Sequence, residues 1–424
     1  MSHTGYNPCM ECRSCGIDFG TTNSVAAIAD KKSVVLAPLE GGQNTLPTAI
    51  FCSKTQRMFG QSAVNAYMQG EEGRFMRSMK RILGTDLMNA TTVINGKSVS
   101  FDSLIAAFLN EIKVRSERHI HSEITSVVLG RPVHYQDANP EADKLAVDKM
   151  CQVAKSVGFK NVVFQYEPIA AAFAHEQSLT EDKMALVADL GGGTSDFTII
   201  RIGPSFCNRI DRSEDILATS GIRVGGNDFD RDLSVNSFMS QFGRGTTYGI
   251  KRLPVPEFLF LHLSEWSKIN FMYVPKNLRM VRDILLDAHT PEKVENLFLL
   301  LETQQAHQLL QVVEQTKIDL TVQEHIKTSF DNLGKSLNFE IKKSEFETVV
   351  HHECDKIIRS MQECLSLAGL KPSDIDMLIL TGGTSQISLV QYTIRQLFTD
   401  AFISDKLRME SVALGLAYMA QKVF

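Results

Sequence analysis

Two short segments put a carboxylate at the end of an apolar strand and a glycine-rich turn directly behind it: GIDFGTTNS, Gly16 to Ser24, and ADLGGGTSD, Ala188 to Asp196. Glycine lets a backbone approach a polyphosphate with its N–H groups turned inward, and the hydroxyls of Thr21 and Thr22 add short donors. A bare carboxylate repels phosphate. Asp18 and Asp189 therefore suit such a cradle only if a divalent cation, Mg²⁺ keeping several of its waters, stands between them and the phosphates. Either turn alone reads equally well as an ordinary acidic turn; two of one composition, in corresponding positions of the chain, read as a pocket.

Other residues could act at such a pocket. Asp196 follows the second turn, and Glu167 precedes a proline in QYEPIAAAF, where an extended backbone leads into a helix. Either carboxylate could orient or deprotonate an attacking water, and either could be a cap or a surface charge. Lys80, in FMRSMKRILG, is not placed at a phosphate by spacing alone. Glu314, Lys317 and Thr321 are separated by three and four residues, so a helix puts them on one face, beside a stripe of Leu309, Val313 and Leu320 that would anchor it. That arrangement suits a nucleoside site and equally any surface helix.

Elements that could position these groups follow from the pattern. Short apolar runs such as SVVLG (Ser126 to Gly130) and MALVADLG (Met184 to Gly191) alternate with helical periodicity, which predicts an α/β fold. GIDFGTTNSVAAIA and VADLGGGTSDFTII both run strand, Asp, apolar residue, Gly, small residues, strand, which predicts two copies of one α/β unit facing each other. MLILTGGTSQISLVQ, from Met377, is a third strand with paired glycines before a helix. Asn139 to Phe159 predicts a helix stopping at Gly158, the region 243–321 is helix-rich, and the last helix runs to the end of the chain.

Bulk properties narrow the function. A chain of 424 residues, 43% hydrophobic and 22% charged, has room for two domains with cores of their own. A net charge of -5 argues against a nucleic-acid surface, and no apolar run is long enough to cross a membrane. No apolar leader is visible at the start, and eight cysteines in so long a chain do not make a disulfide framework, so the expected compartment is the cytoplasm. Cys9, Cys12 and Cys15 resemble a metal clip. Period-two alternation assigns Cys15 to a core-facing strand with Ile17 and Phe19, leaving Cys9 and Cys12 as a lone C-x-x-C in an arm; closed zinc sites want four ligands, which His3 and a distant cysteine would have to complete.

From about Gly16 onward the chain resembles the ATPase domain of the DnaK-type heat-shock chaperones, within the actin, hexokinase and DnaK superfamily. The carrying motifs, in the family's order, are GIDFGTTNS, Lys80 with Arg81, EPIAAAF, DLGGGTSD, GGNDFD from Gly225, and LILTGGTSQI. The resemblance implies two facing actin-like lobes around a nucleotide cleft: an N-terminal arm at 1–15, lobe I at 16–188 with an inserted subdomain near 48–123, lobe II at 189–403 with a helix-rich insertion near 230–350, and a C-terminal helix at 404–424 returning to lobe I. It implies that Asp18 and Asp189 hold hydrated Mg²⁺ and that Gly20, Thr21, Thr22, Asn23, Gly191, Gly192, Gly193 and Thr194 wrap the phosphates of ATP or ADP. Lys80, Glu167, Asp196 and Thr194 would then act on the γ-phosphate and its attacking water. Gly225, Gly226, Glu314, Lys317, Thr321, Gly382, Gly383 and Thr384 would bind toward adenosine.

Departures from the family matter as well. Ile318 and Gln386 stand where the family places arginines that stack on adenine, which predicts looser base selectivity. Asn23 replaces a tyrosine. The segment after Gly243 is similar to the divergent YegD-like branch, and the chain stops where the family's linker and peptide-binding domain would begin, so no client groove is expected. The resulting expectation is a slow ATPase with a protein partner or co-chaperone. Two alternatives remain open at this point: a nucleotide-gated interaction module with little turnover, and a small-molecule kinase using Asp196 as base.

Overall fold

A computed structural model of the chain describes residues 13–136, 139–209, 212–404 and 407–424. Its first large sheet is built from β1 (Arg13–Asp18), β2 (Asn23–Ala29), β3 (Val34–Leu36), β4 (Ile124–Arg131) and β5 (Asn161–Tyr166), in the order β5-β4-β1-β2-β3, with Thr45–Pro47 pairing the start of β2. Its second consists of β6 (Lys183–Leu190), β7 (Ser195–Ile202), β8 (Ile216–Ile222), β9 (Met377–Thr381) and β10 (Phe402–Ser404), in the order β8-β7-β6-β9-β10. In each, the central strand pairs antiparallel with the strand after its turn and parallel with a strand brought in from far along the chain. β1 and β6 are the equivalent central strands, and their acidic residues, Asp18 and Asp189, sit at equivalent ends. The chain is thus a two-lobed, mixed α/β, actin-like ATPase fold.

Strand boundaries refine the division drawn from sequence. Lys183–Leu190 lies wholly in the second sheet, so the changeover between lobes comes before Lys183 rather than at 188/189. Residues 13 to 15 belong to β1, because Ser14 and Cys15 are paired on both sides, rather than to an arm ending at 15. Cys9, Cys12 and His3 lie outside the described residues.

Alternation decides what each face of β1 meets. Cys15 and Ile17, with Phe19 beyond the strand, enter an apolar cluster with Leu104, Phe108 and Ile112 of α1 (Phe101–Ile120) and Met150 of α2 (Pro140–Ser156). Helix α2 starts as its sequence predicts, with Asn139 Oδ1 accepting from Ala142 N at 3.1 Å and proline in the first turn. Opposite, Gly16 lies so close to the C-terminal helix that a Cβ would strike Leu416 and Ala417.

Two helices separate the sheets. α3 (Glu167–Glu176) packs on β6 and β7, while α7 (Ser411–Val423) packs on β1, β2 and β4, and the two helices cross each other. Ala170, Ala171 and Ala172 meet Ala413 and Ala417 in one buried cluster that also takes Ala27 and Val128 from the first sheet and Ala185 and Val187 from the second. At the crossing, a Cβ on Gly415 would run into the Ala170 carbonyl oxygen. Only glycine permits this approach. Between them in the chain lie α4 (Gly226–Leu233), α5 (Ala306–Asp319) and α6 (Lys343–Ala368), the last covering the far side of β7 and β8.

Gly415→Val forces these backbones apart, and overpacking of a close-packed interior costs about 1–3 kcal/mol even before backbone clash is added. Urea unfolding of the variant should show a loss of at least about 2 kcal/mol.

Candidate functional site

Between the lobes lies a cleft of about 300 Å³. Its floor carries Asp18 from the end of β1 and Asp189 from β6, and Thr381 Oγ1 on β9 donates to Asp189 Oδ1 at 2.6 Å, leaving the second carboxylate oxygen for another partner. Lys80 Nζ donates to Glu167 Oε1 at 2.6 Å, with both side chains buried. Two local features bring this pair together. Glu167 opens α3 and packs on Gly130 of β4. Lys80 sits in a tight helical turn, Met79–Ile82, entered through Ser78 at φ 59°, a left-handed backbone that is costly for serine. Asn227 of α4 donates to Ser78 Oγ at 3.1 Å and so holds that turn from the opposite lobe.

Glycine turns close the walls. Gly191 N donates to Thr194 O at 2.9 Å, Gly226 N to Gly191 O at 3.0 Å and Asn227 N to Gly192 O at 2.8 Å, while Thr384 Oγ1 donates to Gly191 O at 2.7 Å. Gly192 and Gly193 lie directly against the hydroxyls of Thr22 and Thr21, so the two sequence-predicted turns meet face to face. Gly382, at φ 77°, passes the Leu190 carbonyl with no room for a side chain.

Electrostatics at the floor are lopsided. Burial first, then the neighbouring Glu167 charge, with Asp189 adding to it, holds the Asp18 carboxyl well above the usual carboxylate range despite the opposing ammonium of Lys80. Asp189 is pushed up to about 6 by burial and Glu167, against the Thr381 hydrogen bond. Burial alone would lower Lys80, but Glu167 and Asp18 outweigh it and keep the ammonium charged. Three carboxylates thus share one ammonium. A hard dication beside Asp18 and Asp189 would relieve their mutual repulsion, and the donor set, oxygens with no sulfur or imidazole, suits Mg²⁺.

Of the sequence-predicted residues, Asp18, Gly20, Thr21, Thr22, Asn23, Lys80, Glu167, Asp189, Gly191, Gly192, Gly193, Thr194, Gly226, Glu314, Lys317, Thr321, Gly382, Gly383 and Thr384 line the cleft. Two do not. Gly225 lies behind the wall, its Cα against the backbone of Gly191 to Gly193, so its role is close approach rather than ligand contact. Asp196 is fully buried in β7, where its Oδ1 accepts from Val133 N at 2.7 Å. It stands across the ladder from Asp189 and beside Thr194, directly behind the cleft lining, and burial with the charges of Glu167 and Asp189 raises its carboxyl well above the usual range against the bonds from Thr194 and Val133.

Glu314 and Lys317 share a face of α5, as their spacing predicts, but neither side chain is idle. Arg77 grips Glu314 with two bonds of 2.5 and 2.8 Å from the first lobe, its guanidinium lying 4.7 Å from the Trp266 ring centre. Lys317 pairs with Asp230 at 2.7 Å and donates to Gly226 O at 3.2 Å. Ile318 and Gln386 line the cleft too, together with Asn227, Ile387, Arg408, Met409 and Val412, none of which was a candidate from the sequence. Asn227 and Ile387 had a visible signal, as they lie inside GGNDFD and LILTGGTSQI; the segment from Arg408 to Val412 had none.

Burial opposes ionisation of Glu314, but Arg77 outweighs it and holds the carboxyl below its ordinary value. Arg77→Met leaves that carboxylate buried and unpaired and should cost about 3–5 kcal/mol in urea unfolding at neutral pH. A lowered folded pKa means the pair's contribution is present above the unfolded pKa of about 4.3 and lost below it, so the gap between wild type and variant should close as pH falls through that range.

A family model described as Hsp70 protein matches residues 14–254 and 284–423, which covers both sheets, both interlobe helices and every residue on the cleft floor. The unmatched stretch, 255–283, falls in the helical region around Glu257–Leu263 and Pro275–Leu286. With most of its length matched, the chain belongs to the Hsp70 family.

Proposed function

We propose that this chain is an Mg²⁺-dependent nucleotide-binding domain that hydrolyses ATP slowly and couples nucleotide state to closure of its two lobes, in a chaperone-like or regulatory role. The observation that carries the reading is the Lys80–Glu167 pair set beside Asp18 and Asp189, between two glycine turns that press together. Membership of a family whose members are ATPases supports it.

In this reading, backbone N–H groups of the turns at Gly20 to Asn23 and Gly191 to Thr194 bind phosphate oxygens, with the hydroxyls of Thr21, Thr22 and Thr194 as further donors. Asp18 and Asp189 hold Mg²⁺, which supplies positive charge against the phosphates when bound. Lys80 stabilises charge on the γ-phosphate, and Glu167 orients the Lys80 ammonium and accepts from the attacking water. Such catalysis is placement and charge stabilisation, without covalent chemistry. Asp196 acts behind this layer by fixing β7 against Val133. Glu314, Lys317, Thr321, Gly382, Gly383 and Thr384 face the nucleoside. A co-chaperone or other protein partner that reads the closed state, a cytoplasmic site and kinship with the YegD-like branch belong to the same proposal. Among the described residues no helix is long and apolar enough to cross a membrane.

A second reading, a nucleotide-gated interaction module with little turnover, is favoured by Asp196 not lining the cleft and by its Oδ1 being engaged by Val133 N. Phosphate release from Mg-ATP by purified protein separates the two. We expect turnover that is abolished by EDTA and lowered about 100-fold or more by Lys80→Ala, the scale of removing a preorganised charge from a transition state. Nucleotide binding with no turnover would favour the second reading, and unchanged turnover in Lys80→Ala would refute the catalytic role of this lysine.

A further inference from the structure

Where α4 packs on α6, three side chains that could hold a metal converge: Asp232 near the end of α4, and His352 and Glu353 of α6. His352 Nε2 lies 3.1 Å from Glu353 Oε1 and 3.5 Å from Asp232 Oδ2, and the three atoms all fall within 4.8 Å of one another. Consecutive residues of a helix do not ordinarily face each other, yet His352 and Glu353 meet at Asp232. Both carboxylates are buried, Asp232 at 8% and Glu353 at 2% exposure, while His352 stands open to solvent. Asp232 Oδ1 accepts from Arg231 Nε at 3.1 Å, but its Oδ2, buried beside it, accepts no hydrogen bond from the described residues. Glu353 Oε1 accepts from Arg231 Nη2 and Oε2 from Lys356 Nζ, each at 2.9 Å. Arg231 also reaches Asp228 Oδ1 at 3.0 Å, so one guanidinium fixes the orientation of both carboxylates and is itself held in place.

A buried carboxylate oxygen without a donor is unfavourable until a proton, a donor or a cation meets it. Arg231 is already engaged by three carboxylates and Lys356 by the far oxygen of Glu353, so neither is free to do so. The spacing fits an ion instead. Two ligand atoms that each stand about 2.0–2.1 Å from a tetrahedral zinc are about 3.3 Å apart, a value bracketed by the two distances from His352. Each carboxylate oxygen has two lone pairs, so Glu353 Oε1 can keep Arg231 and still bind a metal; ligating carboxylates are commonly held by such hydrogen bonds. One imidazole with two carboxylates favours a first-row transition dication over Mg²⁺ or Ca²⁺, which prefer oxygen ligands alone. The open side of His352 leaves room for water as a further ligand. We propose that Asp232, His352 and Glu353 form a binding site for a zinc-class dication that ties α4 to α6. This site is separate from the Asp18 and Asp189 floor and needs no nucleotide. It anchors the helix whose first residues, Gly226 and Asn227, line the cleft.

Titration calorimetry with zinc chloride tests it, on the full chain carrying Cys9→Ser and Cys12→Ser so that the cysteine pair cannot take the ion, and in excess Mg²⁺ so that oxygen-only sites are occupied. We expect one equivalent to bind with a Kd of about 100 μM or tighter. His352→Ala in the same background should weaken binding at least about tenfold, since loss of a partner that merely supports a ligand already costs about 10–100-fold. Asp232→Asn, which keeps the size of the side chain, should give the same loss. His351→Ala removes a neighbouring histidine that pairs with Asp355 outside the cluster and should leave the affinity unchanged. Zinc should also raise the Tm of the parent chain and leave that of His352→Ala where it is. A Kd weaker than about 100 μM, an affinity unmoved by His352→Ala, or an equal loss in His351→Ala overturns the inference. Should the variants fail to fold, zinc affinity and the zinc-dependent Tm of the parent chain decide.

Discussion

Everything at the cleft floor depends on how closely α3 and α7 cross. The two helices share one buried cluster with both sheets, and their contact is backbone against backbone, through Gly415 and Ala170. α7 lies on the first sheet and α3 on the second. Their separation sets the distance between β1 and β6, and through it the approach of Asp18 to Asp189. Alanines on both helices keep the layer thin without leaving voids, since close packing in a protein interior tolerates neither excess volume nor gaps. The same helix that sets this spacing, α3, opens on Glu167, so the element that fixes the lobes also delivers a carboxylate to the floor.

That economy has an electrostatic cost. Bringing Asp18, Glu167 and Asp189 together in a poorly hydrated place favours protonation of the two aspartates, and one ammonium cannot compensate three carboxylates. The fold places Lys80 there through a serine in a left-handed conformation and an asparagine reaching from the other lobe, a local strain that packing elsewhere must sustain. A floor so arranged is unfavourable by itself and becomes favourable with a bound dication, which is the physical reason to expect ligand-dependent stability in the arrangement of the lobes.

Across the top of the cleft the lobes are joined differently. Phe51 and Phe75 of the first lobe belong to the same apolar cluster as Trp266 and the helices of the second, and Tyr67 stacks on Phe75 with ring centres 4.6 Å apart. His307 lies buried edge-on to both rings, and burial with the charges of Arg74 and Arg77 pushes its pKa down to about 3, so it stays neutral. Arg77 completes this junction by spanning from Trp266 to Glu314. Glu314 therefore serves the junction between lobes as well as facing the cleft, a double duty that follows from its position at the rim.

The sequence by itself determined the duplicated strand, acidic residue and glycine turn, the α/β alternation and the apolar face of β1 that takes Cys15, because these are short-range properties: a side chain alternates every second residue and glycine admits a ligand or a neighbour wherever it stands. It also marked α5 as a helix with Glu314 and Lys317 on one face. What those two side chains hold was decided in space, by Arg77 from the other lobe and Asp230 from α4. Space also decided that Asp196 turns toward Val133, that Gly225 packs behind the wall, and that Arg408 and Met409 join Ile318 and Gln386, since each depends on segments far apart in the chain arriving at one place. Periodicity and composition carry no record of such meetings; only the crossing of α3 and α7 and the two sheets stacked on it bring them about.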